Sequence, residues 1–208
     1  MAIGVVLSIK AALGTSPISG IPYVLNLITE LSVGTTTIIV NVLIVLLQVI
    51  LLRKRFQVIQ LLQIPVCIVF GLLTDLAMLF FEGMVLQAYW LQWLVCIGGI
   101  LLVAVGVSFE VTANVVTLPG EGLALALCKL IPVKFGYVKI MVDVSLVVIA
   151  AALSFAFLHG LQGVREGTAA AAIFVGMTAR QLNRFMIPFG KILFGTSQGT
   201  AQQKKAVR

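Results

Sequence analysis

Five stretches of this chain are almost free of charge and long. They are Val40–Leu52 with the threonine-rich Gly34–Ile39 before it, Val58–Phe81, Tyr89–Val107, Ile140–Leu158 and Thr168–Ile187. A helix needs about 20 apolar residues to cross the hydrocarbon core of a bilayer. A soluble domain carries about 25% charged residues, whereas this chain has 10%, with a mean hydropathy of +1.16. Folded in water, it would leave most of that apolar surface uncovered. The expected fold is an all-α polytopic membrane protein, with the lipid bilayer as its first partner.

Several other classes are set aside by composition. No basic segment and small-residue cleavage site precede the apolar runs, so no removable signal peptide is expected. Cys67, Cys96 and Cys128 are odd in number and lie inside apolar runs. That fits packing better than a disulfide framework or a metal set. His159 is the single histidine, which argues against a metal site and a histidine-based catalytic set. No nucleophile–base pair or phosphate loop is present, so neither enzyme activity nor a cofactor is expected. The net charge of +7 does not imply nucleic acid, because the basic residues cluster at segment ends and on the C-terminal tail, as in membrane proteins.

The chain also repeats itself. Shifted by 102 positions, Gly4–Asn41 lies on Gly106–Asp143 without a gap, with ten identities in 38 positions. The matches include Gly4 with Gly106, Thr15 with Thr117, Pro17 with Pro119, Gly20 with Gly122 and Gly34 with Gly136, while Asn41 falls on Asp143. A three-residue insertion then brings Gly71 onto Gly176. Proline and glycine are scarce and conformationally constrained, so their gapless match points to duplication.

Charge decides how the halves are oriented. Let each half contain three crossings and one short helix, Pro17–Glu30 or Pro119–Ile131, that enters and leaves by one face. Placing Arg53, Lys54 and Arg55 inside then puts 12 of the 14 basic residues on that side, leaving only Lys10 and Arg165. The loop 81–88, with no Lys or Arg, falls outside. The expected architecture is thus two inverted-topology repeats, residues 1–88 and 89–194, with a polar tail at 195–208 and both termini cytoplasmic. One misfit stands: the second half opens with a full crossing, about Tyr89–Val111, but only a dozen residues precede Leu13. Either the natural N-terminus lies upstream of Met1 or the first helix ends within the bilayer.

Irregular backbone inside lipid is tolerated only where protein or a water-filled cavity surrounds it. The Pro-Gly segments Leu13–Pro22 and Val115–Gly122 should therefore lie inside the protein, at the interface of the halves. Pro17 and Pro119 suit the first helical position, and Ser16 is a good N-cap. Each helix that follows, about 13 residues or roughly 20 Å, reaches from mid-bilayer to one surface. Its positive N-terminal end would sit deep in the membrane.

Polar residues at these breaks are the candidate site. Thr15, Ser16, Ser19, Asn114, Thr117, Glu121 and Arg165 are candidates for binding solute. Glu110, Glu121 and Asp143 are candidates for proton coupling, because ionisable groups at membrane depth are costly and mark ion or substrate paths. Plainer readings compete. Asp143 has Lys139 at helical i, i+4 spacing, Arg165 has Glu166 beside it, Glu121 suits a helix N-terminus, and Asp75 reads as interfacial.

The stretches KAALGTSPISGIPYVLN, VTANVVTLPGEGLALAL, VKFGYVKIMVDVSLVVIA and GVREGTAAAAIFVG resemble the YczE/YyaS/YitT group of bacterial integral membrane proteins over nearly the whole chain. The resemblance implies a bacterial inner membrane and no particular substrate. The functional expectation is a secondary transporter of a small polar or anionic solute, bound at the midplane between two re-entrant half-helices. A channel and a non-transporting scaffold are the alternatives. A homodimer is the expected association, from how often small bundles of this kind pair.

Overall fold

The computed structural model describes the backbone of residues 1–53, 56–113, 117–131, 133 and 135–194. The proposed tail at 195–208 and the candidate Asn114 lie outside the described residues. The described chain is helical: α1 (Ala2–Lys10), α2 (Pro17–Thr29), α3 (Val33–Leu52), α4 (Gln63–Phe80), α5 (Tyr89–Ala113), α6 (Pro119–Cys128), α7 (Phe135–Leu158) and α8 (Glu166–Phe194), with a short 3-10 turn at Val58–Leu62. Among the described residues, four helices are long and apolar enough to cross a membrane: Val33–Leu52, Ile59–Phe80, Tyr89–Glu110 and Gly136–Leu158, with mean hydropathy between 2.0 and 2.5. At nine residues α1 is too short to span.

The polarity of the fold is that of a membrane protein. Large apolar side chains face outward along the long helices, among them Leu79, Phe80 (84% exposed), Met141 and Phe155. Polar side chains are held inside, including Thr36, Asn41, Gln48, Gln63, Thr74 and Ser154. Tyr89 and Trp93 stack edge to face at the start of α5, a position suited to a membrane–water boundary.

The two short helices begin at their prolines. Pro17 and Pro119 each occupy the first turn, where a missing N–H costs nothing. Helix α2 ends at Glu30, whose backbone is left-handed. Helix α6 ends at Cys128, three residues before the expected Ile131. Pro132 follows in the sequence, and a proline disfavours helical backbone in the residue before it. Ser16 is the N-cap of α2 as expected, but its hydroxyl does not cap the backbone. It donates instead to the Ser19 hydroxyl at 3.0 Å.

Backbone left unpaired between α1 and α2 is satisfied by the turn between α7 and α8. The Thr15 N–H donates to the Gly163 carbonyl at 3.0 Å, and the Gly167 N–H donates to the Leu13 carbonyl at 2.7 Å. Gly14 makes this docking possible: its φ is +108°, and a Cβ there would stand 2.8 Å from the Arg165 nitrogen and collide with the Thr168 hydroxyl.

Helix packing arranges the rest. Helix α1 lies against α4 and α5, α5 against α8, α2 against α3 and α7, and α6 against α3 and α7. The largest buried cluster joins α2, α3, α6 and α7 through Val24, Val40, Ile44, Leu123, Ala124, Val142, Leu146 and Ala150. Helices α1 and α5 approach closely: a Cβ on Gly4 would lie 2.6 Å from the Gly99 carbonyl, and one on Gly99 would lie 2.7 Å from the Ser8 hydroxyl. The cysteines are free; Cys67 and Cys96 are buried, which accords with packing.

Candidate functional site

The starts of the two short helices meet. The Ile18 side chain, in the first turn of α2, seats against Gly120, in the first turn of α6; a Cβ there would lie 2.7 Å from Ile Cδ1. The residue pair at the meeting point is apolar, so the polar chemistry lies to either side of it.

On the α6 side, charged groups converge. A Glu110 carboxylate oxygen, from the end of α5, accepts the Leu118 N–H at the N-cap of α6. This places an anion on the unpaired donors and positive end of that helix. Glu121, in the first turn of α6, lies within electrostatic reach of Glu110, Lys139 and Asp143. Lys139 Nζ bonds Asp143 Oδ1 at 2.7 Å, the i, i+4 pair read from the sequence. All three candidate coupling residues therefore lie within electrostatic reach of Lys139. Thr117 is half-buried at the same break.

Two amides complete this side, and neither was read from the sequence as part of the site. Gln48 of α3 is wholly buried and Gln63 of α4 nearly so. Gln48 Nε2 donates to the Pro119 carbonyl at 3.0 Å and to Gln63 Oε1 at 3.3 Å, while Gln48 Oε1 has no partner. Gly122 makes room for them, since a Cβ there would meet both amides at 2.9 Å. The only available sequence signal was a glutamine inside an otherwise apolar run.

On the α2 side the candidate residues are neutral or cationic. The Thr15 hydroxyl donates to the Gly163 carbonyl at 3.2 Å. Arg165 donates to the Ala12 carbonyl at 3.0 Å and stands 3.5 Å from the Glu166 carboxylate, both side chains about half-exposed. Between these segments lies a cavity of about 230 Å³, lined by Ala12, Gly14, Thr15, Tyr23, Gln162 and Arg165 among others. Arg165 and Thr15 thus share one cavity; Ser16 and Ser19 bond each other beside it, and Glu110, Glu121 and Asp143 belong to the other cluster.

Asp75 holds a role that the interfacial reading missed. Its carboxylate accepts the Gly34 N–H at 2.6 Å and the Ser32 hydroxyl at 2.7 Å, which pins the start of α3 to α4. Among the described residues, no group of three His, Cys, Asp or Glu side chains is arranged to hold a metal ion.

These features define a helical protein of membrane type with polar clusters enclosed by an apolar shell. The chain matches the model of DUF6198, a family of unknown function, over residues 1–184, and belongs to that family. No curated protein and no solved structure matches it.

Proposed function

We propose that this chain is a proton-coupled secondary transporter of a small polar or anionic solute, built from two inverted repeats in a bacterial inner membrane. The observation that carries the reading is the gathering of Glu110, Glu121 and Asp143 around Lys139 where a short helix begins. Lys139 is taken by Asp143, and among the described residues neither glutamate has an ion-pair partner within 4.0 Å. Unpaired carboxylates at membrane depth are costly. A proton taken up there removes a charge, and its release restores one, which is the elementary act of coupling.

The repeat is supported by contacts that recur under the 102-residue shift. Gly20 faces Ala150, and its counterpart Gly122 faces Gln48, the counterpart of Ala150. Gly4 faces Val103, and Gly106 faces Met1 in the same relation. Ile18 and Gly120 are themselves counterparts, so their contact falls where a twofold axis would pass. Helices α1 and α5 are also counterparts. They run antiparallel, since Ser8 meets Gly99 where Met1 meets Gly106. That supports inversion across the membrane and short helices that return to their own face.

The Arg165 cavity is the reading's solute site. Its guanidinium and the Tyr23 hydroxyl offer donors to a small anionic or polar group, the Thr15 hydroxyl, whose proton goes to Gly163, offers an acceptor, and the acidic cluster would repel an anion. A thermal-shift panel of small carboxylates, phosphate and neutral metabolites at several pH values tests this on the purified protein. At least one solute should raise the melting temperature by mass action, with Arg165→Ala weakening the effect about tenfold or more and Glu121→Gln removing its pH dependence. If no solute stabilises the protein, or if both variants change only its basal melting temperature, the chain is a membrane scaffold instead.

A further inference from the structure

We propose that the α3–α4 contact around Asp75 is a closed outer gate, and that the counterpart contact between α7 and α8 forms when it opens. Gly34 and Gly71 lie so close that a Cβ on the first would collide with the carbonyl of the second and stand 2.5 Å from Asp75 Oδ2. Asp75 fastens the pair through the Gly34 N–H and the Ser32 hydroxyl. Their counterparts are Gly136 on α7 and Gly176 on α8, by shifts of 102 and 105. Among the described residues nothing lies within 4 Å of a Cβ built on either.

The other packing pairs do recur on exchange of the halves: α1 with α4 as α5 with α8, α2 with α3 as α6 with α7, and α2 with α7 as α6 with α3. Among the described residues, packing comparable to that of α3 on α4 does not join α7 to α8. The asymmetry is therefore concentrated in one pair of helices. Two halves of one design, held in two arrangements, display the two states that each can adopt, and exchanging them alternates access to the centre. The latch explains which state is held. The residue 105 positions after Asp75 is Arg180, so the inner pair lacks a carboxylate at the position from which Asp75 pins the start of α3.

This inference rests on the transporter reading for its purpose, but its test needs no solute. In a full-length variant with Cys67, Cys96 and Cys128 replaced by alanine, spin labels go on two counterpart pairs. The outer pair is Ile39 and Ile68; the inner pair is Met141 and Ile173, and all four side chains are exposed. Distances are read by pulsed electron resonance in lipid nanodiscs. Asp75→Ala removes two hydrogen bonds to a charged acceptor, enough to move the balance between states about tenfold or more. The outer pair should then gain long distances as the inner pair gains short ones.

Adding Gly176→Leu, a side chain for which the present state has space, should abolish the short inner distance. Gly98→Leu, also in open space, should not. Asp75→Asn, milder to the fold, should give a smaller shift of the same sign. The gate is overturned if the outer pair lengthens while the inner pair stays put, if neither pair moves, or if Gly176→Leu leaves the short distance intact. Absence of solute stabilisation alongside coupled movement would remove the transporter reading alone.

Discussion

Gly20 and Gly122 are counterparts in the repeat, yet alanine should have unequal consequences at the two. In both helices the substitution brings about 0.5–1 kcal/mol of helix preference. At Gly20 the new methyl meets only the Ala150 Cβ, at 3.3 Å, and the Thr15 hydroxyl, at 3.6 Å. A few tenths of an ångström of give on a neighbouring helix accommodates it, so the net effect should stay within about 1 kcal/mol.

At Gly122 the methyl would stand 2.9 Å from Gln48 Oε1 and Gln63 Nε2 and 3.1 Å from Gln48 Nε2. Both amides are buried, and Gln48 cannot yield without weakening its bonds to Pro119 and Gln63. Two lost bonds at about 1 kcal/mol each, with about 1–3 kcal/mol of overpacking, outweigh the helix gain. The net cost is about 2–4 kcal/mol. A melting shift of about 2–4 °C per kcal/mol for a chain of this size makes that roughly 4–16 °C, measurable by scanning fluorimetry in detergent. Gln48→Ala, which installs the residue found at position 150, should recover at least half of the Gly122→Ala loss, because it removes one clashing amide and frees the other, Gln63, to move aside. Equal damage at Gly20 and Gly122, or no recovery in the double variant, would refute the reasoning.

Further outcomes follow from the same contacts. Glu110→Ala should destabilise by about 1–3 kcal/mol, since it leaves the Leu118 N–H without its acceptor. Glu110→Gln, which keeps an acceptor oxygen, should lose less than half of that, as denaturant or thermal melts would report. Gly99→Leu should prevent recovery of folded protein, judged by size-exclusion profile, because a Cβ alone would stand 2.7 Å from the Gly4 carbonyl and from the Ser8 hydroxyl. In folded protein a maleimide should modify Cys128, which is half-buried, well before the buried Cys67 and Cys96; all three should react together on unfolding in detergent.

What the sequence revealed of this fold came from residues whose conformational demands are local. Pro17 and Pro119 suit the first turn of a helix by their own geometry, and the matched Gly4, Gly20, Gly34 and Gly122 stand at close approaches. Lys139 and Asp143 pair because a helix sets them one turn apart. The Arg165–Glu166 contact was likewise legible from adjacency. Gln48, Gln63 and Asp75 were not, because their roles depend on which helices become neighbours. An amide in an apolar run carries no period of its own, and only the packing of α3 on α4 and α6 shows what it bonds. Asp75 looked interfacial because its partners lie 41 and 43 residues away in sequence. The partners of the hydroxyls at the first break were not legible either: Thr15 turns to Gly163, and Ser16 to Ser19.

The transporter reading and the gate both stand on short helices that return to the face they came from, in halves of opposite orientation. Single cysteines at Leu31, Leu130 and Leu161, all exposed, test that on a background without the native three. They are probed in intact cells with a membrane-impermeant maleimide. With returning helices, Leu31 and Leu161 should label from outside, and Leu130 only after permeabilisation. If α2 and α6 crossed fully, Leu130 would label from outside and Leu161 only after permeabilisation, and that result would contradict the account.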